Sequence, residues 1–178
     1  MRKKMFIATG LVVVAIGGYM LTGNSKETAS VPSETQNIKG IVQDYSSGKL
    51  SAQSASITSR ELIVTESDDK SLTYKLPDNE FFLSIAPYVN KTHPCATHSL
   101  TGCQGEMTNQ EFNVNVVDKD GKEIINQSMK SESNGFIDLW LPRDNTYQIK
   151  IEQNGKIAES TVSTFESDDT CLTTMQIL

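Results

Sequence analysis

From Glu61 onward the chain is a succession of short runs of apolar and polar residues, broken by turn residues about every ten positions. Runs of this length cannot build a helical bundle, because a helix needs an apolar stripe sustained over several turns. Residues 61–65 and 71–76 flank Asp68-Asp69-Lys70 and read as a hairpin. Residues 111–117 and 122–126 flank Asp118-Lys119-Asp120-Gly121 and read as a second, with Phe112, Val114 and Val116 on one face. Residues 146–151 and 157–165 flank an Asn154-Gly155 turn and read as a third. Single strands are expected over 80–89, 135–141 and 171–178. The plentiful Thr, Ser, Val and Ile agree with β structure. The fold class expected is therefore mostly β: an antiparallel sandwich-like or barrel-like domain. A helix is expected over 37–45, where apolar residues fall at 38, 41, 42 and 45.

The first residues have a separate logic. Arg2-Lys3-Lys4 precede an uncharged apolar run from Met5 to Leu21, the pattern of a secretory signal. At about 17 residues the run is also at the lower limit for spanning a bilayer. Asn24 stands where a lipoprotein would carry its lipidated cysteine, and no clean small-x-small cleavage site precedes it. Residues 1–23 are thus expected to be a signal peptide or an N-terminal membrane anchor, and to supply the chain's only membrane contact. Residues 24–36, rich in Ser, Thr, Glu and Pro, read as a flexible linker. Residues 37–79 form a small N-terminal α+β region and 80–178 a β-rich metal-binding domain. The expected location is extracytoplasmic. The chain carries 22 acidic and 16 basic residues, a formal charge of −6. An acidic surface argues against nucleic acid as a partner.

Three cysteines interrupt this β pattern. An odd number outside the cytoplasm leaves one thiol over, or shares it with a second chain as in a homodimer. Cys95 and Cys103 lie within the same eleven residues as His93 and His98, the only histidines. His93 and Cys95 leave the same face of an extended chain. A turn brings His98 to Cys95, and Gly102 allows the chain to bend back at Cys103. Cys171 is remote, but its strand can close on the group. The candidate metal ligands are therefore Cys95, Cys103, Cys171, His93 and His98. Thiolates suit Cu(I), imidazole suits Cu(II), and the same set could hold zinc as a tetrahedral ion. On this reading the histidines serve Cu(II) capture, which should fall as pH drops through about 6.5. Thiols can also reduce Cu(II) while becoming a disulfide. Of the three pairings, Cys95–Cys103 is favoured because both lie in one short segment; Cys103–Cys171 is the next choice. Met107 and Met175 are thioether donors in principle, but a packing role is favoured for both. Two competing readings are an exported thiol–disulfide redox protein and a disulfide-stabilised β binding module. The first lacks a Cys-x-x-Cys at the start of a helix.

Four stretches carry a resemblance. They are Phe82-Leu83-Ser84-Ile85-Ala86-Pro87-Tyr88-Val89; Thr92-His93-x-Cys95-x-x-His98-Ser99-Leu100-Thr101-x-Cys103-Gln104-Gly105-Glu106; Asn134-Gly135-Phe136-x-x-Leu139-Trp140-Leu141-Pro142-Arg143; and Asp168-Asp169-Thr170-Cys171-Leu172-Thr173-Thr174-Met175-Gln176. In this order they closely resemble the CueP family of bacterial extracytoplasmic copper-binding proteins. The resemblance implies copper binding through the three cysteines with the histidines assisting, and a role in copper tolerance or as a metallochaperone. It further implies reduction of Cu(II) and supply of copper to an exported copper-dependent enzyme such as a superoxide dismutase.

Overall fold

The computed structural model describes residues 37–178; the signal and linker expected over 1–36 lie outside them. In chain order the elements are α1 (Ile38–Ser46), β1 (Ser54–Ile57), β2 (Glu61–Thr65), β3 (Ser71–Lys75), β4 (Glu80–Ile85), β5 (His98–Ser99), β6 (Glu111–Asp118), β7 (Glu123–Lys130), β8 (Ile137–Pro142), β9 (Thr146–Gln153), β10 (Lys156–Ser163) and β11 (Cys171–Leu172). Among these residues no helix is long and apolar enough to cross a membrane.

The protein is mostly β, as the alternation requires, and its strands form three sheets. One sheet has the order β10-β9-β6-β7 and contains two of the expected hairpins. The β9–β10 turn is the tight two-residue kind. Asn154 and Gly155 both adopt positive φ, 53° and 78°, which favours Asn and Gly because a bulkier residue clashes there. A second sheet has the order β3-β2-β1-β5 and contains the remaining hairpin. Its β1 and β5 strands were not expected from the sequence. The cysteine segment therefore contributes an edge strand, with His98 opposite Ile57.

The third sheet, β11-β4-β8, lies between the other two. Phe81, Leu83 and Ile85 of β4, with Ile137, Leu139 and Leu141 of β8, pack against Phe112, Val114, Val116, Tyr147, Ile149 and Ile151. From the opposite face Phe82 packs with Ile57, Leu62 and Val64, and with Ile38 and Val42 of α1. Trp140 meets Phe82 edge-on at 5.3 Å. Burial on both faces explains why β4 is apolar at Phe81, Phe82, Leu83 and Ile85 instead of alternating. Met175 is buried in the large core and Met107 packs against it, so both serve as packing residues. β11 joins β4 in parallel, placing Cys171 opposite Ser84.

One buried carboxyl group breaks the apolar character of this middle sheet. Asp138 lies opposite Ser84 in β8 and accepts hydrogen bonds from the hydroxyls of Ser84 at 2.6 Å and Ser46 at 2.5 Å. Burial pushes its carboxyl up from 3.8 to about 6, against the opposing effect of the two hydroxyls. The fold thus prefers the neutral acid. That preference stabilises the protein fully below the unfolded value, and the contribution is lost as pH rises through about 6. Asp138→Asn should remove this part of the pH dependence, so that its stability relative to the parent chain rises between acid and about pH 8. Urea unfolding at a series of pH values measures it; parallel curves for the two proteins would contradict the assignment.

Candidate metal centre

Backbone hydrogen bonds deliver the cysteine loop to β11. Ala86 donates its N–H to the carbonyl of Leu172 at 2.9 Å, and Tyr88 forms a parallel bridge with Gln176. The Glu106 carboxylate then accepts the N–H groups of Val89, Asn90 and Lys91 at 2.7, 2.8 and 3.2 Å, and the Asn90 side chain at 3.1 Å. These donors hold its carboxyl down at about 2, so the loop stays tied throughout the physiological range. Thr92 donates its hydroxyl to the carbonyl of Thr173 at 2.6 Å. Beyond β5, the carbonyl of Ser99 accepts the N–H of Cys103 at 3.0 Å and of Gly102 at 3.3 Å, closing the turn that returns Cys103.

On the far side of Cys103, Gly105 and Gly135 cross at backbone contact. Gly105 donates its N–H to the carbonyl of Asn134 at 2.7 Å. A side chain on Gly105 would place its Cβ 2.5 Å from the Gly135 carbonyl oxygen. Only glycine fits this approach. The crossing brings Phe136 into one cluster with Ala86, Cys171, Cys95 and Cys103.

These segments bring four of the five expected ligands together. One ligand atom each from Cys95, His98, Cys103 and Cys171 lies within 4.8 Å of the others. Cys95 and Cys171 are joined as a disulfide across 76 positions, with Cα atoms 5.6 Å apart. Cys103 is free, with its sulfur 3.6 Å from that of Cys95. This pairing differs from both pairings favoured by the sequence. The register of β11 on β4 sets Cys171 against the loop, while Cys103 turns in from the other side. Sequence proximity carries no information about that register. His98 Nδ1 is 3.6 Å from the Cys171 sulfur.

His98 is fully buried, and its ring centroid stands 4.4 Å from that of Phe136 and 6.2 Å from that of Phe82. Burial, with a smaller contribution from nearby His93, pushes its pKa down from 6.5 to about 4. The imidazole is therefore neutral, and able to ligate, well below the pH expected of an exposed histidine. A loss of uptake near 6.5 does not apply to this residue. Its Nε2 is buried without a hydrogen-bond partner among the described residues, as is Nε2 of His93. His93 lies outside the four-residue group. Its ring centroid is 6.2 Å from that of Phe136, and it lines a recess of about 230 Å³ with Lys91, Thr92, Gln104, Gly105 and Glu106. The supporting roles of Glu106 and Phe136 escaped the reading of the sequence, because each acts on segments far away along the chain.

The donor set, three sulfurs and one imidazole, suits a soft monovalent cation when the thiols are reduced. Comparison with known proteins agrees with that chemistry. The family described as periplasmic copper-binding protein CueP matches residues 38–176. The crystal structure of S.CueP is similar at a TM-score of 0.75 and 40% sequence identity, over 82% of this chain and 91% of that one. Comparison with the curated proteins finds no match. With the family matched along nearly all the described residues, and with thiol and imidazole ligands converging on one point, this chain belongs to the CueP family of periplasmic copper-binding proteins.

Proposed function

We propose that this protein binds Cu(I) outside the cytoplasmic membrane through the thiolates of Cys95, Cys103 and Cys171 with the imidazole of His98, in the service of copper tolerance or copper delivery. The convergence of these four ligand atoms within 4.8 Å of one another carries the reading. Three soft sulfurs favour Cu(I) over the harder divalent ions. A tetrahedral Zn(II) would use the same four ligands, which makes it the competitor to test.

The Cys95–Cys171 pairing supports a one-way, stoichiometric reduction of Cu(II) by the thiol form. Two Cu(II) ions each take one electron from the Cys95 and Cys171 thiols. The products are one disulfide, two Cu(I) and two protons. His93, beside the recess and outside the sulfur group, serves first contact with Cu(II), for which imidazole is the better ligand. The recipient of the metal is an exported copper-dependent enzyme such as a superoxide dismutase.

Competition of the reduced full chain with a Cu(I) chelator tests the reading. One Cu(I) should bind per chain, and Zn(II) in excess should not displace it. His93→Ala should slow Cu(II) uptake while leaving Cu(I) retention unchanged. Displacement by zinc, or Cu(I) binding that survives loss of all three cysteines, would overturn it.

A further inference from the structure

Thr170, immediately before Cys171, hydrogen-bonds to both other segments that supply ligands on its side of the site. Its N–H donates to the carbonyl of Ala96, the residue after Cys95, at 2.9 Å. Its hydroxyl accepts the N–H of His98 at 3.0 Å and donates to the carbonyl of Ile57 in β1 at 2.7 Å. Its carbonyl accepts the N–H of Ser84 in β4 at 2.9 Å. The side chain is 2% exposed, so these bonds are sheltered from water. Every polar atom of one residue is thus used to join Cys171, Cys95 and His98 to each other and to two sheets.

We infer that Thr170 is the positioning residue of the metal centre, holding Cys95, His98 and Cys171 in place whether or not Cys95 and Cys171 are bonded. The inference rests on the copper site proposed above. None of the four hydrogen bonds involves a sulfur. Reduction of the disulfide therefore leaves the clamp intact, and the two sulfurs stay side by side when the covalent bond is gone. A site fixed by its own disulfide would loosen at the moment the thiols became available. The hydroxyl is the vulnerable part, because it bridges the His98 N–H to the Ile57 carbonyl within the β5–β1 pairing. Valine has the same shape and lacks the donor and acceptor, so it leaves the His98 N–H and the Ile57 carbonyl without this buried partner.

The test compares Thr170→Val, Thr170→Ser and Thr164→Val with the parent as reduced full chains. Thr164 is an equally buried threonine outside the site. Its hydroxyl donates to the carbonyl of Pro142 at 3.0 Å and accepts the N–H of Asn145 at 3.2 Å. It reports what losing a buried hydroxyl does to the fold alone. Chelator competition should show Cu(I) affinity falling about 10- to 100-fold in Thr170→Val, the range for residues that orient metal ligands. Thr170→Ser should restore it to near the parent value, and Thr164→Val should lose stability without losing affinity. Should Thr170→Val not fold, Thr170→Ala carries the same comparison. Parent affinity in Thr170→Val, or equal losses in Thr164→Val, would overturn the positioning role while leaving the copper site standing. Failure of the parent chain to bind Cu(I) through its thiols would overturn the site itself, and the positioning role with it.

Discussion

Cys103→Ser should lower the affinity of the chain for Cu(I) by more than about 100-fold, beyond the loss expected from removing a residue that only orients a ligand. Cys103 is the free thiol among the described residues, half-buried, with its sulfur 3.6 Å from that of Cys95. Serine is nearly the same size but offers a hard oxygen in place of a soft sulfur. The remaining thiols, Cys95 and Cys171, are placed to bond to each other. In the variant, a single oxidation therefore removes both remaining thiolates at once. The oxidised apoprotein should meanwhile keep the unfolding midpoint of the parent, because Cys103 takes no part in the disulfide. Copper affinity and stability thus separate in one variant. A matched loss of both would mean that Cys103 acts through the fold and not through the metal.

The second large effect concerns stability. The Cys95–Cys171 bond closes a loop across 76 positions, and in the chain-entropy account such a loop contributes roughly 4 kcal/mol by restricting the unfolded state. Reduction, or Cys171→Ser, should lower the unfolding free energy of the oxidised protein by about that amount. Urea unfolding with and without a phosphine reductant measures it. Cu(I) added to the reduced parent should then recover stability in proportion to its affinity, because it binds the folded chain in preference to the unfolded one. The same addition to Cys171→Ser should recover much less. If the parent unfolds at the same urea concentration with and without reductant, the two cysteines are not joined.

The two kinds of information in the chain explain what was legible. The three hairpins were readable because their signals are local. Asn154-Gly155 dictates a tight turn, and Phe112, Val114 and Val116 mark one face of β6. The helix was readable for the same reason, with Ile38 and Val42 both buried. β4 stood out as an apolar run, and its burial between two sheets accounts for that. Strand β1, with the sequence Ser-Ala-Ser-Ile, offers little contrast between its faces, and β5 is two residues long. Neither carries a period long enough to detect. Both exist because tertiary partners supply their hydrogen bonds, β2 on one side of β1 and the cysteine segment on the other.

The candidate site divides in the same way. The concentration of His93, Cys95, His98 and Cys103 in a few residues was visible directly, and Cys171 was drawn in as the third cysteine, on a strand able to close on the group. Which sulfurs pair depends on the parallel register of Cys171 against Ser84, a contact between distant segments that no local pattern encodes. The depressed pKa of His98 depends on Phe136 and Phe82 closing over its ring, again a matter of packing. Glu106 appeared only as the end of a motif, yet it gathers three successive N–H groups from seventeen to fifteen positions earlier.

The most direct measurement is X-ray absorption at the copper edge of the reduced full chain loaded with one equivalent of Cu(I). The account predicts a coordination shell dominated by sulfur, with a single lighter scatterer from His98. Replacing that residue by Ala should remove the lighter scatterer and leave the sulfurs in place. A shell of nitrogen and oxygen alone, or one unchanged after Cys95, Cys103 and Cys171 are all replaced by Ser, would contradict it.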